Sequence, residues 1–355
     1  MPTRRRFLKN GLGTGAAIAL GLPGARWAVA QDTTTEEARN KATVRLFKES
    51  QGTADYDQVL REVQSPNYRR LRQGFANLAT NAHDSELAEV AQPVRTAFPD
   101  RSDVIEQMVA DGDMVGMLFR VRGTHEGNFF GIPATGKPID IHEIGILKLA
   151  DGKIVEAWFM ADEAAILKQL GVGLPARRDG RIIAPQSLTN ARYGQAVLEE
   201  ILDNPVDSQT YRNKLTVAAY KSASPPAGLL PDRPGRPYDE YLRGGFSHMG
   251  EYGNANGVGD QNIGQAFPDR QDKVDHVLAE GDNVWIQFRL SGTNTQSLFG
   301  LPPTNGPIEA AEVGIMTFDG NRWATGWFFG DDLGMALQLG QPNIFTPFTT
   351  SSRTD

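Results

Sequence analysis

The five residues Ala97-Phe98-Pro99-Asp100-Arg101 return 169 positions later as Ala266-Phe267-Pro268-Asp269-Arg270. The spacing is kept through the stretches that follow, and 29 of the 75 residue pairs between 97–171 and 266–340 are identical. Self-similarity at one fixed spacing is typical of a duplicated structural unit. The sequence therefore predicts two copies of one domain.

A second repeated block lies ahead of the first and sets the domain limits. Pro66–Phe75 returns as Pro237–Phe246, with a Leu-Arg-x-Gly-Phe core in both copies. We expect one domain over 31–178 and a second over 186–340. The stretch between them is rich in Gly, Pro and Arg, as in a linker, and residues 341–355 are predicted to be an irregular tail.

The overall composition excludes several classes of protein. The chain has 355 residues, 40% of them hydrophobic and 22% charged, so it can bury a sizeable core. It has no cysteine, which excludes disulfides and thiolate metal sites. The net charge of −7 argues against a nucleic-acid partner, which favours a basic protein face. The five histidines show no ligand spacing, so no metal is expected.

The N-terminal segment has the three parts of an export signal. A basic start, Arg4-Arg5-Arg6, is followed by the apolar run Leu12–Leu22 and by Ala28-Val29-Ala30, a small-residue cleavage site. We predict a twin-arginine signal peptide over 1–30; the alternative is a basic helix cap on the domain. The apolar run is short for a stable membrane anchor. A periplasmic or secreted protein is expected, with the twin-arginine machinery as a partner.

Each copy shows helical patterns first and strands afterwards. In copy one a helix is predicted over 35–50, a less regular helical and loop region extends to about 96, and a short helix covers 162–170. Four strands are predicted between them, at 104–110, 114–124, 138–149 and 153–161. In copy two we expect the opening helix over 190–204. Helices followed by an antiparallel meander indicate an α+β fold.

The order of short motifs carries a resemblance to a known family. Ala97–Asp100, Asp111–Asp113, Gly123–Gly136 and Asp151–Asp162 follow one another as they do in SnoaL-like polyketide (ester) cyclases of the nuclear-transport-factor-2-like superfamily. The resemblance implies two tandem cone-shaped α+β barrels, each a curved antiparallel sheet wrapped on helices around an apolar pocket. It also implies chemistry without cofactors. Because such domains commonly dimerise, we expect the two copies to form an internal pseudo-dimer.

The family's catalytic residues do not carry over to this chain. The resemblance places an aspartate after the tryptophan of the last strand and a histidine fourteen residues earlier. Those positions are Phe159 and Gly145 in copy one, and Phe328 and Gly314 in copy two. None of these side chains can move a proton, so the cyclase mechanism does not transfer residue by residue.

Glu143 and its counterpart Glu312 are the first remaining candidates for acid–base catalysis. Each lies two residues before the glycine that replaces the family histidine, so it shares that glycine's face of the strand. A carboxylate in an apolar cone has a raised pKa and can act as a general base. The alternative is a salt-bridged or solvent-facing glutamate.

For each of the further candidates, a structural role is at least as well supported as a functional one. His125 matches a Gly-Thr-His motif and is either a catalytic group at the pocket rim or a loop residue. Asp162 and Asp331 are either helix N-caps or carboxylates at the pocket mouth. Arg72 and Arg243 either bind a ligand or pair internally with Glu143 and Glu312. The remaining candidates share an aromatic ring that either lines a pocket or packs in the core: Tyr68, Phe119, Phe130, Trp158, Phe159, Trp327 and Phe328.

Two functional hypotheses follow from these patterns. The first is an exported protein that binds a small hydrophobic or amphipathic molecule and acts on it by cofactor-free acid–base chemistry, as a cyclase, isomerase, hydrolase or dehydratase. The second is a non-catalytic ligand-binding or assembly module. The loss of both family catalytic positions favours the second, and the retained Glu143 and Glu312 favour the first.

Overall fold

The protein is described from a computed structural model. It describes residues 35–82, 91–175, 177, 179–185, 188–231, 237–258 and 263–346. The predicted signal peptide and the tail from residue 347 onward lie outside the described residues. The chain from Thr35 onward forms one structural unit, in which each repeat has its own sheet.

Five strands build the sheet of repeat one: β1 (Gln64–Arg72), β2 (Ser102–Asp111), β3 (Met114–Thr124), β4 (Pro138–Ala150) and β5 (Lys153–Ala161). They lie in the order β1-β5-β4-β3-β2, and only β1 runs parallel to its neighbour. Strands β2 to β5 confirm the four predicted segments. Asp151 and Gly152 both have positive φ, as the tight turn between β4 and β5 requires.

Strand β1 lies where the sequence pattern predicts an irregular region. Its nine residues are mostly polar, include Pro66, and are half-buried or exposed except for Arg72. Proline is confined to edge strands because it lacks the N–H that a central strand needs. An edge strand with little apolar alternation leaves no clear sequence signal.

The helices of repeat one fill the concave side of this sheet. They are α1 (Glu36–Glu49), α2 (Tyr56–Val63), α3 (Ala76–Asn81), α4 (Ala91–Ala97) and α5 (Glu163–Leu170). Helix α1 begins as predicted, with Thr35 Oγ1 accepting from the Ala38 N–H at 3.2 Å. It buries Val44 and Phe47 against the sheet, and this packing forms the closed inner part of the cone.

Repeat two has the same frame with additions at its start. Its strands are β6 (Arg192–Tyr193), β7 (Glu240–Arg243), β8 (Gln271–Glu280), β9 (Asn283–Thr293), β10 (Pro307–Asp319) and β11 (Arg322–Gly330). Its helices are α6 (Gly194–Asp203), α7 (Gln209–Tyr220), α8 (Ser247–Ala255), α9 (Ile263–Ala266) and α10 (Asp332–Gln338). The sheet order is β6-β8-β9-β10-β11-β7. Helices packed on mainly antiparallel sheets make the fold class α+β.

Helix α6 confirms the helix predicted over 190–204 at the start of repeat two, but it is not the counterpart of α1. Helix α7 is the counterpart of α1, because Lys221, directly after α7, bonds Asp272 at 2.9 Å as Lys48 of α1 bonds Asp103 at 2.8 Å. Helix α6 and strand β6 are additions at the outer side of β8 and α7. The apolar stripe of α6 is the clearer helical signal in the sequence. Helix α7 is harder to match with α1, because Lys48 and Lys221 are not 169 positions apart.

The convex faces of the two sheets pack against each other. Leu118, Ile144 and Ile146 of repeat one meet Trp285 and Val313 of repeat two in one buried apolar cluster. The contact is so close that a side chain on Gly116 would lie 2.8 Å from the Trp285 ring. Burial of aromatic and branched side chains on this scale is the main stabilising term of an interface.

Polar contacts between the two repeats also occur in equivalent pairs. The Asp111 carboxylate accepts from the Ala279 N–H at 2.9 Å and from Lys214 at 2.6 Å. Its counterpart Glu280 accepts from the Ala110 N–H at 2.8 Å and pairs with Lys41. The two repeats therefore meet through equivalent surfaces. Among the described residues, no helix is long and apolar enough to cross a membrane.

Candidate functional site

In each cone, the two positions that correspond to the family's histidine and aspartate face each other directly. Gly145 on β4 pairs with Phe159 on β5, and Gly314 on β10 pairs with Phe328 on β11. A Cβ on Gly145 would lie 2.7 Å from Cε1 of Phe159, and a Cβ on Gly314 would lie 2.7 Å from Cε1 of Phe328. In both repeats the phenylalanine ring occupies the space beside the glycine, where a larger residue does not fit.

Glu143 lies in the cone of repeat one, on the face that strand parity predicts. It is 5% exposed, and Gly74 leaves it room, because a Cβ there would lie 2.1 Å from its carboxylate. Arg101 Nη2 lies 3.8 Å from Oε2, too far for a hydrogen bond. This oxygen accepts no hydrogen bond from any described residue. The pairing of Glu143 with Arg72, one of the two alternatives for that arginine, is not formed, because Arg72 donates to Asp331.

The other charges of this cone form a buried group on which sequence analysis did not focus. Asp103 accepts from Lys48 at 2.8 Å and from Arg101 at 2.9 and 3.0 Å. Burial lowers the pKa of Lys48, although Asp103 and Glu143 oppose this. Burial by itself raises the pKa of Asp103, but the two cations hold it below its ordinary value. Arg101 and Asp103 are identical in both repeats, and that identity was the available signal.

Repeat two reproduces the same buried group. Asp272 accepts from Lys221 at 2.9 Å and from Arg270 at 2.9 Å, and Lys221 Nζ lies 3.4 Å from the centroid of the Phe288 ring. Glu312 is 7% exposed, and burial raises its pKa against the pull of Lys221 and Arg270. Glu312 is therefore a buried carboxylate with a raised pKa, as predicted. Arg243, its partner in the ion-pair alternative, donates to Asp162 instead.

Little free space remains in the cone of repeat one. A cavity of about 70 Å³ is left at its mouth, bordered by Glu143, Phe159 and Tyr56. Arg70 covers Phe159, with its guanidinium carbon 5.2 Å from the ring centroid. Small-molecule pockets in proteins usually span about 300–1,000 Å³. The cavity beside Glu143 is below this range.

The repeated arginines pair across the two repeats. Arg72 donates to Asp331 Oδ2 at 2.7 Å, and Arg243 donates to Asp162 Oδ2 at 2.9 Å. Arg72 also lies 3.8 Å from Glu163. The alternative of an internal ion pair is therefore correct in kind and wrong in partner. Nothing in the sequence indicates the true partner, because Arg72 and Asp331 are 259 positions apart.

Asp162 and Asp331 are helix N-caps, as the structural alternative predicts. Asp162 accepts from the Ala165 N–H at 3.0 Å, and Asp331 accepts from the Gly334 N–H at 2.9 Å. Burial opposes ionisation of Asp162, but His248 and Arg243 lower its pKa to about 2. These carboxylates lie where the two repeats meet, not at the mouth of a cone.

The next residue of each helix is a buried acid with a raised pKa. Burial raises the pKa of Glu163 to about 8, against the pull of Arg72. Burial likewise raises the pKa of Asp332 to about 7. Each accepts from the backbone of its own repeat, Glu163 from the Leu78 N–H at 2.8 Å and Asp332 from the Met249 N–H at 2.9 Å. Sequence analysis missed both.

His125 is buried in the loop after β3. Its Nδ1 lies 3.1 Å from Thr135 Oγ1, and its ring stacks on Phe98 with centroids 5.2 Å apart. Burial lowers its pKa. In repeat two Asn294 takes its place and accepts from the Thr304 N–H at 2.8 Å. These contacts give His125 the loop role that was the alternative to catalysis, and its described contacts do not include Glu143.

The candidate aromatic residues divide between the cones and the surface between the repeats. Phe119, Phe159 and Phe328 lie in the cones. Trp158 and Trp327 pack in the apolar cluster between the sheets, which agrees with core packing, the alternative to pocket lining. Each precedes a cone-facing phenylalanine by one residue, so it must point to the opposite face.

Two candidate aromatics lie outside the described cavity of the cone. Phe130 is buried with a φ of 49° in the loop before β4 and packs against Phe129, the two ring centroids being 4.8 Å apart. Tyr68 is half-buried on β1, and its hydroxyl accepts from Arg70 Nε at 3.0 Å. In the parts of the chain that the structure describes, no cluster of His, Asp and Glu could hold a metal ion.

Comparisons with known proteins match both repeats to one family. A sequence model of the SnoaL-like polyketide cyclases matches residues 41–170 and 261–339. Similar solved structures include a candidate SnoaL-like polyketide cyclase from Jannaschia sp. CCS1, with 26% identity and a TM-score of 0.33 over 40% of this chain and 97% of that one. IdmH, a candidate polyketide cyclase from Streptomyces antibioticus, has 30% identity and a TM-score of 0.32 over 38% and 99%. No curated protein matches. The chain belongs to the SnoaL-like polyketide cyclase family.

Proposed function

We propose that this chain is an exported, tandem SnoaL-like protein that binds a small molecule and does not carry out the family's aldol cyclisation. The observation that carries the proposal is the pairing of Phe159 with Gly145, repeated by Phe328 with Gly314. Each pair puts a hydrocarbon ring where the family resemblance places a proton-transferring dyad. A hydrocarbon ring can neither take nor return a proton, so neither cone has the acid and base that the cyclisation needs.

The space and the charges in the cone of repeat one support the same proposal. The cavity of about 70 Å³ beside Glu143 is well below the usual volume of a small-molecule site, about 300–1,000 Å³. The cations nearest to it, Lys48 and Arg101, already bond Asp103. Cations held in this way favour a packed core over a preorganised oxyanion site.

A second candidate function is cofactor-free acid–base catalysis by Glu143 or Glu312. It is favoured by the Glu143 oxygen that accepts no hydrogen bond within the described chain, and by the raised pKa of Glu312. A carboxylate of this kind can serve as a general base if the cone opens to admit a substrate. No cofactor is needed for such a step.

The remaining parts of the proposal concern location and assembly. The twin-arginine segment over 1–30 supports export to the periplasm or beyond. The packing of the two convex sheet faces, with Asp111 and Glu280 in equivalent roles, supports an internal pseudo-dimer that needs no second chain. The partners are then a small ligand and the export machinery.

A turnover assay separates the two functions. Full-length mature protein is incubated with a methyl ester of a linear polyketide, and products are followed by liquid chromatography and mass spectrometry. We expect no cyclised product above the rate without protein. Cyclisation by the wild type that falls at least about 10²-fold in Glu143→Gln or Glu312→Gln would overturn the proposal. A tryptophan fluorescence spectrum confirms that each variant keeps its fold.

A further inference from the structure

A large cleft lies outside both cones, where the two repeats and the linker meet. Its volume is about 630 Å³, within the usual range for small-molecule sites. Its floor is the convex face of β8, β9 and β10, and its walls include Arg72 and Asn77 of repeat one, Pro185 of the linker and Asp331 of repeat two. A site built from both repeats requires the tandem arrangement, which no single repeat supplies.

The floor of the cleft is set by the register of three strands. Lys273, Arg289 and Ala311 form one cross-strand row, so their side chains point to the same face. The counterparts in repeat one are Val104, Arg120 and His142. Lys273 adds a cation to this row, and Ala311 is smaller than the imidazole that stands in its place in repeat one. The duplication has therefore diverged on this face.

Arg289 is buried on this floor with one nitrogen unused. It is 5% exposed, Nε donates to Asp275 at 3.1 Å, and Nη1 lies 3.6 Å from Glu309. Its Nη2 has no hydrogen-bond partner in the described part of the chain. A buried guanidinium N–H without an acceptor is costly, and an oxygen of a bound carboxylate is the acceptor that it bonds most strongly.

Asn77 on the cleft wall has an unpaired hydrogen-bond acceptor, whereas Arg289 has an unpaired donor. Its Nδ2 donates to Glu163 at 2.6 Å and to Asp331 at 2.7 Å, which fixes the orientation of the amide. The side chain is fully buried, and its Oδ1 accepts from no described residue. A ligand that reaches this oxygen must bring a hydrogen-bond donor.

The ligand group that donates to Asn77 is either a hydroxyl or an ammonium, and the acidic residues of the cleft indicate which. Asp269 accepts from Thr293 at 2.7 Å, Asp331 from Arg72 at 2.7 Å, and Glu309 lies 3.7 Å from Lys273. Because each carboxylate already faces a cation or a donor, a hydroxyl, which needs no counter-charge, is the donor that suits this cleft best. We infer that the cleft binds a small carboxylate that carries hydroxyl groups, with its carboxylate at Arg289 and Lys273 and a hydroxyl at Asn77.

This inference rests on the proposed function and names its ligand class. The probe is gluconate, compared with glucose, which lacks the charge, and hexanoate, which lacks the hydroxyls. Isothermal titration of the full mature chain is expected to give gluconate a Kd near or below about 1 mM and at least about tenfold tighter than either comparison compound. Gluconate that binds no tighter than glucose and hexanoate overturns the inference.

Three variants locate the binding in the cleft. Arg289→Gln should weaken gluconate at least about tenfold, while Arg120→Gln at the matched position of repeat one should leave it unchanged. Ser291→Phe fills the floor without removing an ion-paired group and should also abolish binding, which covers the case in which Arg289→Gln fails to fold. Equal effects of Arg289→Gln and Arg120→Gln, or full binding by Ser291→Phe, contradict the assignment. If a different molecule co-purifies and gluconate does not displace it, the cleft ligand is wrong while the proposed function stands.

Discussion

Phe159 and Gly145 are direct partners on neighbouring antiparallel strands, and the Phe159 ring lies so close that a Cβ on Gly145 would be 2.7 Å from it. The residues depend on each other, since the ring fills the cone only because its partner has no side chain. Phe328 and Gly314 depend on each other in the same way in repeat two, so a phenylalanine ring fills the corresponding space in both cones.

This dependence predicts a coupled stability effect. Gly145→Ala should lower the free energy of unfolding by about 1–3 kcal/mol, because the ring must move out of a packed core. In Gly145→Ala with Phe159→Leu, the loss should be smaller than the sum of the two single losses. Urea unfolding of the four proteins measures this. Strict additivity would mean that the two residues do not compete for the same space.

The pair between Arg72 and Asp331 should contribute strongly to stability. Asp331→Ala leaves a guanidinium that is 3% exposed without its main partner and removes a helix N-cap, so we expect a loss of about 3–5 kcal/mol. The control is Glu49→Ala, which breaks the pair of Glu49 with Arg45, two side chains that are about half exposed, and should cost below about 1 kcal/mol. Similar losses in urea unfolding would show that the buried bridge is unimportant.

The raised pKa of Glu163 predicts that the free energy of unfolding falls as the pH rises. Its pKa is about 8 in the folded chain against an ordinary value of 4.5, so the folded state keeps a proton that the unfolded chain releases in this range. The free energy of unfolding should therefore decrease from about pH 4.5 to about pH 8. Asp332, with a pKa of about 7 against 3.8, acts in the same direction.

Urea midpoints of wild type and of Glu163→Gln with Asp332→Asn, measured at several pH values, check this prediction. The double variant should have a flatter pH dependence than the wild type, because neither amide ionises. An equally steep dependence in the variant would assign the effect to other groups, and an unchanging midpoint in the wild type would exclude it.

Removal of repeat two should expose an apolar face and produce a dimer. A fragment covering 31–178 leaves Ile144, Ile146 and Trp158 without the surface that covers them in the full chain. Light scattering is expected to show a folded dimer, with a second copy of the fragment in place of repeat two. A stable, compact monomer would argue against the pseudo-dimer.

Export is tested by changing the paired arginines. Replacement of Arg4 and Arg5 by lysine should leave precursor in the cytoplasm, because the twin-arginine receptor distinguishes guanidinium from ammonium groups. Cell fractionation followed by mass spectrometry of the N-terminus measures the outcome. Normal appearance in the periplasm of a protein that begins at Gln31 would refute this route.

The sequence predicts well those features that depend on local patterns. Turn residues mark strands β2 to β5, and strand parity places Glu143 in the cone. The same parity could have excluded Trp158 from the pocket, because it is adjacent to Phe159 on one strand. The partner of Arg72 could not be predicted, since it belongs to the other repeat, and the cleft at Arg289 depends on how the repeats and the linker meet.

Native mass spectrometry of the mature protein, purified from the periplasm and supplied with millimolar gluconate, tests the central claim most directly. The account predicts one small molecule bound per chain, released chemically unchanged on denaturation, and lost in Ser291→Phe. A chain that consistently carries no ligand, or that releases a cyclised product of an added polyketide ester, would contradict the account.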